Sequence, residues 1–254
     1  MVVQFFRKYS FLARAMKNAK CIVLGIVCLM VALNAEAQTN SRENLPSFDS
    51  RFYHFGFLLS ANSSSFFIDY KPDFSFSDSL LGIENVPQAG FNLALLASFN
   101  PVKNVNLRFV PGLSFQDRGL NYTFLREGGK VETFLKRTES VWLQFPMLLK
   151  LRTNRVGNFA AYGLIGGCYG IDMQSQKDVD EAVAGKIVVK LEKTDITLDA
   201  GGGFDFFLPY FKFGIELKTG FGMKNVLIQE GNQFTDPISN LRTRTFVFSL
   251  SFEG

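Results

Sequence analysis

The sequence contains few of the residues on which enzymes, disulfide-bonded proteins and metalloproteins depend. Its 254 residues include one histidine and three cysteines. The histidine, His54, lies outside the long loops predicted below, so the serines and acidic residues of those loops cannot form a Ser-His-Asp site. A site made of acidic residues alone stays open as an alternative. Cys168 is the one cysteine beyond residue 37, which excludes a disulfide framework and a thiol metal site. We therefore expect no catalytic residue, no cofactor and no metal.

The sequence also lacks an apolar run of the about 20 residues that a membrane-spanning helix needs. The apolar run Cys21–Leu33 has 13 residues, a length typical of the core of a signal peptide. Basic residues precede it, and Ala35-Glu36-Ala37 supplies a small-residue cleavage site. We predict that residues 1–37 are a signal peptide that is removed, with Met1 or Met16 as the start. An anchor helix is the alternative.

An excess of positive charge is missing from the rest of the chain. The whole sequence has 27 basic and 23 acidic residues, and residues 1–37 contain five basic residues and one acidic residue. Residues 38–254 are therefore electrically neutral. This balance gives no support to nucleic-acid binding.

The residue pattern of 38–254 predicts β-strands separated by polar or glycine-rich connections. We predict a polar N-terminal lead over residues 38–51 and a barrel over residues 52–254. Eight segments of 9 to 15 residues have the length of membrane-spanning strands. They are Tyr53–Ala61, Ala89–Phe99, Val105–Gln116, Ser140–Arg152, Phe159–Met173, Thr194–Phe207, Phe211–Met223 and Arg242–Phe252.

The predicted connections alternate in length. The short ones are Asn100–Asn104, Thr153–Asn158 and Leu208–Tyr210. The long ones are Asn62–Gln88, Asp117–Glu139, Gln174–Lys193 and Lys224–Leu241. Short periplasmic turns and long outer loops are typical of outer-membrane barrels. This pattern predicts an even number of strands with both termini in the periplasm.

Charges within the predicted strands lie opposite the aromatic side chains. In Val105–Gln116 the odd positions are apolar and Arg108 is even. A lysine or arginine that faces lipid at the midplane costs about 2–4 kcal/mol. The pattern predicts an all-β, eight-stranded, antiparallel, up-and-down transmembrane β-barrel with apolar residues outside. A soluble barrel, with aromatic residues inside and charges outside, is the alternative.

The last strand shows the same alternation up to the end of the chain. Its outward residues are predicted to be Phe246, Phe248, Leu250 and Phe252. A terminal strand of this kind is typical of outer-membrane barrels. We expect it to be the strand through which the barrel-assembly machinery inserts the protein into outer-membrane lipid.

The predicted interior contains charges of both signs. They are Arg108, Lys150, Arg152, Asp199, Asp205, Lys212, Glu216 and Lys218. Buried ions are tolerated with partners, and eight strands enclose a space that side chains fill. We therefore expect a structural network of ion pairs, with a path for small ions as the alternative. The faces of Tyr162 and Cys168 stay open, because glycines blur the phase of their strand.

The first long loop is too apolar to meet water alone. Its aromatic residues include Phe66, Phe67, Tyr70, Phe74 and Phe76. The loop can plug the barrel, extend the strands or bind a partner, since exposed apolar patches often mark contacts.

The strands also resemble the PorT family of the Bacteroidetes outer membrane. The similar segments are Phe55–Leu59, Asn106–Phe115, Leu143–Lys150 and Phe204–Phe213, of which the last, Phe-Asp-Phe-Phe-Leu-Pro-Tyr-Phe-Lys-Phe, is the most specific. Pro111 and Pro146 fit the family pattern and predict bulges in their strands.

The resemblance implies a function in the type IX secretion system, which exports cargo with C-terminal sorting domains, including adhesins in gliding species. It implies other secretion components as partners and no catalytic residue. Two alternatives stay open: a general surface barrel for adhesion or envelope integrity, and a barrel enzyme that modifies lipid A or peptides.

Overall fold

The chain forms an antiparallel β-sheet in a computed structural model. The structure describes residues 43–71, 80–126, 129–175, 190–231 and 234–254. A 3-10 turn, Phe48–Ser50, precedes the strands. The strands are β1 (Tyr53–Tyr70), β2 (Leu80–Val102), β3 (Val105–Phe109), β4 (Gly112–Arg126), β5 (Lys130–Arg152), β6 (Phe159–Asp172), β7 (Thr194–Phe207), β8 (Lys212–Gly222) and β9 (Ile238–Glu253). Among the described residues, no helix is long and apolar enough to cross a membrane.

The strand pairings close the sheet on itself. Strands adjacent in sequence pair antiparallel, except β3 and β4, which do not pair with each other, and β1 pairs with both β2 and β9. Segments β3 and β4 both pair with β2 and β5, so they occupy one place in the ring. Nine strand segments therefore fill eight positions, and the predicted all-β, up-and-down fold is confirmed.

Pro111 separates β3 from β4 without a bulge. Phe109 pairs with Met147 and Gly112 pairs with Gln144, so the register is the same on both sides of the break. Pro146 pairs with Cys168 inside an uninterrupted ladder. The bulges predicted at these prolines were wrong, because each proline removes one N–H donor without adding a residue. Register shifts in β2 occur instead between Pro87 and Phe91 and near both ends of the strand.

The two ends of the barrel differ in their connections. The end that contains Glu43, Gly254 and the short turns 103–104, 153–158 and 208–211 is called the terminal end below. The opposite end, with connections 71–79, 127–129, 173–193 and 223–237, is called the loop end.

Two of the predicted long loops are mostly strand. Strands β1 and β2 extend to Tyr70 and from Leu80, so residues 62–70 and 80–88 are strand residues. Strands β4 and β5 continue to Arg126 and from Lys130, and they pair along this whole length. In the first loop this confirms the alternative that the loop extends the strands. In Asp117–Glu139 the loop prediction was wrong, because these parts of β4 and β5 extend beyond the apolar belt of the barrel.

Side chains alternate between an apolar outer face and a mixed interior. On β1, Phe55, Phe57 and Leu59 are exposed, whereas His54 and Leu58 are buried. The outward residues of the other strands continue this belt and include Leu93, Leu95, Leu107, Phe109, Met147, Leu149, Ile165, Leu198, Phe204, Leu217, Phe246 and Phe248. An apolar belt around a closed barrel is suited to lipid, where every backbone polar group must be paired within the protein.

Candidate functional site

The interior next to the terminal end contains a chain of alternating charges. Lys150 Nζ lies 2.7 Å from Asp205 Oδ2, and Lys212 Nζ lies 3.9 Å from the same oxygen. Lys212 also lies 2.7 Å from Glu253 Oε2. These side chains are at most 4% exposed. Together with Arg108 and Glu216, these residues form a charge chain of three cations and three anions that neutralise one another within the barrel.

Arg108 completes this charge chain. Its two terminal nitrogens donate to Glu253 and to Glu216, the second at 3.0 Å. The Tyr162 hydroxyl donates to the same Glu216 oxygen at 3.1 Å. Charge-assisted pairs of this kind satisfy ions that would otherwise be costly to bury.

Two glycines provide room for the aromatic side chains of the interior. A Cβ on Gly203 would lie 2.7 Å from the Tyr162 hydroxyl oxygen. A Cβ on Gly170 would lie 2.9 Å from a ring carbon of Trp142. Both distances are too short for a real Cβ, so the glycines place Tyr162 and Trp142 inside the barrel. Cys168 is also buried inside, so Tyr162 and Cys168 both lie on the inward face of β6.

The remaining predicted interior charges form ion pairs that are separate from this charge chain. Lys218 lies 2.9 Å from Asp199 Oδ2, nearer the loop end. Arg152 lies at the terminal end, where its guanidinium is 2.7 Å from Asp49 Oδ1. All eight predicted charges therefore point inward and form ion pairs, but they belong to three separate groups.

The N-terminal lead closes the terminal end. Phe48 is buried, its ring stacks on His54 at 3.7 Å, and it meets Phe207 edge-on at 5.9 Å. The backbone N–H of Asn44 donates to Asn158 Oδ1 at 2.8 Å. Arg155 donates to the Asn44 carbonyl oxygen. We call residues 43–51 the N-terminal cap.

The middle of the interior is divided by an apolar layer. Its buried residues are Leu58, Leu96, Val110, Leu148, Tyr162 and Leu164. Beyond it, towards the loop end, lies a cavity of about 40 Å³ lined by polar side chains. Arg118 and Trp142 line this cavity, and their Nε and Nε1 atoms have no hydrogen-bond partner among the described residues. A polar cavity of this size holds one or a few water molecules.

A second apolar cluster closes the loop end. It contains Phe66, Leu80, Ile83, Leu120, Tyr122, Phe124, Leu191, Val226, Leu227, Phe234, Ile238 and Leu241. The connection 223–237 contributes Val226, Leu227 and Phe234 to it. The Tyr122 hydroxyl donates to the Phe234 carbonyl oxygen at 3.1 Å. In the part of the chain that the structure describes, side chains thus fill the interior from the N-terminal cap to this cluster, apart from small cavities.

This arrangement is unsuited to transport through the lumen. Wide aqueous channels occur in barrels of about 16 or more strands, whereas this ring has eight positions. Within the described ranges, no cluster of three or more histidine, cysteine or acidic residues is placed to hold a metal ion. Chemistry on large substrates would have to take place on a surface.

The predicted contact loop is divided among different environments. Phe66 is buried in the loop-end cluster, so its side chain is unavailable to a partner and its assignment as a contact was wrong. Phe67 and Tyr70 are exposed on the outer face, and the Tyr70 hydroxyl donates to the Ile83 carbonyl oxygen at 2.6 Å. Phe74 and Phe76 lie outside the described residues.

The C-terminal strand lies in an aromatic girdle at the terminal end. Phe252 stacks on Phe57 with ring centroids 4.9 Å apart and contacts Phe213 at 5.4 Å. Phe213 lies 6.4 Å from Phe206, which lies 5.4 Å from Phe159. Phe246, Phe248 and Leu250 continue the outer face of β9 towards the loop end. Aromatic girdles mark the interfaces of membrane barrels.

Sequence reasoning missed two kinds of interior residue. Glu253 joins Arg108 to Lys212, but the predicted strand ended at Phe252. It continues the inward phase of Ser249 and Ser251, so extending the strand by one residue would have found it. The N-terminal cap offered no such signal, because Leu45 and Phe48 are isolated apolar residues in a polar segment.

Comparison with known proteins agrees with this architecture. Residues 36–227 match the model of the outer membrane protein beta-barrel domain. The chain belongs to this family. This outer membrane barrel is therefore located in the outer membrane, as its apolar belt requires. A comparison with curated protein sequences found no match.

Three solved structures are similar to this outer membrane barrel. The attachment invasion locus protein Ail of Yersinia pestis is 16% identical, with a TM-score of 0.39 over 80% of this chain and 100% of that chain. OprG of Pseudomonas aeruginosa is 13% identical, with a TM-score of 0.42 over 78% and 93%. Neisserial surface protein A is 9% identical, with a TM-score of 0.39 over 78% and 96%. At these values the similarities say nothing about function.

Proposed function

We propose that this protein is a non-enzymatic outer-membrane barrel that assists export by the type IX secretion system through its surfaces. The observation that supports this most is the filled interior, closed by the N-terminal cap at one end and by the apolar cluster at the other. Folded cargo cannot pass through such a barrel. The protein would assist the assembly, stability or gating of a larger pore.

The choice of secretion system comes from the PorT resemblance. The segments that carry it include Phe204–Phe213, which contains Asp205 and Lys212 of the interior charge chain and the turn 208–211. The resemblance therefore involves residues with a defined structural role. We propose PorT-like membership in the Bacteroidetes outer membrane on this basis, with other type IX components as partners.

We propose that the terminal end faces the periplasm and the loop end faces the cell exterior. This orientation places the C-terminal strand where the barrel-assembly machinery acts on outer-membrane barrels. It also places the hairpin of β4 and β5 outside the cell. Val131 and Leu135 of this hairpin are 58% and 42% exposed, as expected of side chains that contact a partner.

The direct test is a clean deletion of the gene, compared with the parent strain and a complemented strain. The proposal predicts that type IX cargo accumulates unprocessed in the envelope and that complementation restores export. Normal export would contradict it. Normal export with increased detergent sensitivity would instead identify a general barrel for adhesion or envelope integrity, and altered lipid A would identify an enzyme.

A second complementation experiment tests the hairpin as the contact surface. The double variant Val131→Asp, Leu135→Asp should fold and yet restore export poorly. Val102→Asp, Val156→Asp is the matched control, because both valines are exposed (64% and 65%) but lie at the terminal end, away from the hairpin. Equal export from both variants would exclude this hairpin as the contact.

A further inference from the structure

The outer face of the barrel carries an apolar groove on β1, β7, β8 and β9. It has a volume of about 510 Å³, within the about 300–1,000 Å³ typical of ligand sites. Phe246, Phe248 and Leu217 provide its large apolar side chains, and Ala61, Ala200 and Gly201 leave the space between them. A long, shallow apolar groove on a lipid-facing surface is suited to an acyl chain.

Arg244 lies at the loop-end edge of this groove. It is exposed, and it lies on the same face of β9 as Phe246, two residues closer to the loop end. Two residues of a strand span about 7 Å. The guanidinium carbon is 4.9 Å from the centre of the Phe246 ring and 5.7 Å from the centre of the Phe221 ring. The cation is thus held above the groove by two aromatic rings.

Arg244 supplies the unbalanced charge of this region. Arg242 pairs with Asp69 at 3.1 Å, and Lys224 lies 4.0 Å from Glu192. Arg244 forms no ion pair with any carboxylate in the part of the chain that the structure describes. A guanidinium in this position is suited to a phosphate, with which it forms two parallel hydrogen bonds.

A second outer groove provides an internal comparison. It has a volume of about 470 Å³ and is lined by residues such as Phe57, Leu93, Leu95 and Leu113, with no charged residue among its lining. That groove can accept acyl chains of any lipid. The groove below Arg244 combines an acyl site with a phosphate site.

We propose that Arg244 and the groove beneath it form a binding site for a phosphorylated, acylated lipid, with the phosphate on Arg244 and an acyl chain along Phe246 and Phe248. The site lies at the loop end, so the orientation proposed above assigns it to the outer leaflet and to lipid A. The site is separate from the export function, which can stand or fall independently.

The test uses wild-type protein, Arg244→Ala and Arg137→Ala, each purified from outer membranes in mild detergent. Mass spectrometry then measures the lipid A and the glycerophospholipid retained per protein. Removal of Arg244 should lower retained lipid A about fivefold, as expected for one cation at an anionic membrane surface. Arg137 is an exposed arginine on β5, and the groove is formed by β1, β7, β8 and β9, so its removal should have no effect.

A second variant tests the groove while keeping the cation. Ala200→Phe should fill the groove and lower lipid A retention with Arg244 intact. Each variant is first shown to be folded by its heat-dependent mobility in gel electrophoresis. Unchanged lipid A in Arg244→Ala, equal loss in Arg137→Ala, or retention of glycerophospholipid in place of lipid A would each overturn the proposal. An inverted barrel would be detected independently by labelling Lys130→Cys with a membrane-impermeant maleimide on intact cells.

Discussion

At the scale of single residues, the main feature is that the ions of the interior depend on one another. Glu253 forms ion pairs with both Arg108 and Lys212. Removing one member of a buried network leaves the other ions without compensation, which costs about 3–5 kcal/mol. We therefore expect substitution of any one of these residues to lower the free energy of unfolding substantially.

Glu253→Gln should lower the free energy of unfolding by about 3 kcal/mol or more, because it leaves Arg108 and Lys212 with fewer partners. Urea unfolding can be followed by the fluorescence of Trp142, the one tryptophan of the chain. The control is Glu132→Gln, whose ion pair with Arg126 is exposed and is worth less than about 1 kcal/mol. Equal effects of the two variants would contradict the interior network.

Gly203→Ala tests the packing of Tyr162 in the same way. The new Cβ would meet the Ile215 carbonyl oxygen and the Tyr162 hydroxyl, and overpacking of this kind costs about 1–3 kcal/mol. Gly163→Ala on the neighbouring strand is the control, because its Cβ would have no atom closer than 4.0 Å. A Gly203→Ala variant as stable as Gly163→Ala would show that Tyr162 lies elsewhere.

At the scale of elements, the sequence predicts the strands accurately inside the apolar belt and inaccurately outside it. Alternation exists where one face meets lipid and the other meets the interior, as in Val105–Gln116. Residues 130–135 of β5 are exposed on both faces, so no alternation marks them as strand. The same residues therefore read as a loop, although their backbone pairs fully with β4.

The interior charges were predictable for the same physical reason. Lipid excludes charge from the outer face, so the phase of each strand assigns its charges to the interior. The partners were not predictable, because they depend on the register between strands distant in sequence, such as Arg108 and Glu216. The N-terminal cap depends on tertiary contacts of Phe48 and Asn44 that leave no local pattern.

The last strand, β9, makes a prediction about assembly. Phe252→Ala removes the ring that packs on Phe57 and Phe213 at the terminal end. We expect less of this variant to reach the folded outer-membrane form, as measured by heat-dependent gel mobility of membrane fractions. Phe246→Ala, on the same face but near the loop end, should assemble close to normally. The opposite order would exclude the terminal end of β9 as the assembly signal.

At the scale of the whole molecule, the apolar belt and the asymmetric ends predict one orientation in the membrane. Lys130→Cys, at the tip of the β4–β5 hairpin, should react with a membrane-impermeant maleimide on intact cells. Cys168 is buried, and Cys21 and Cys28 lie in the predicted signal peptide, so wild-type protein is expected to give a low background. Labelling that requires disruption of the outer membrane would reverse the proposed orientation.

In the described part of the barrel, buried side chains fill the interior from Phe48 at the terminal end to Phe234 at the loop end. Two interior cavities lined by described residues have volumes of about 40 and 30 Å³, far smaller than a channel. The proposed function accordingly assigns the contacts of the protein to its outer surfaces and not to its lumen.

The most direct test of this claim is the ionic conductance of the purified protein in a planar lipid bilayer. A filled barrel predicts a current no greater than that of the bare bilayer over the whole voltage range in which the bilayer is stable. Discrete, long-lived current steps that increase in number with added protein would show an open lumen and contradict the account.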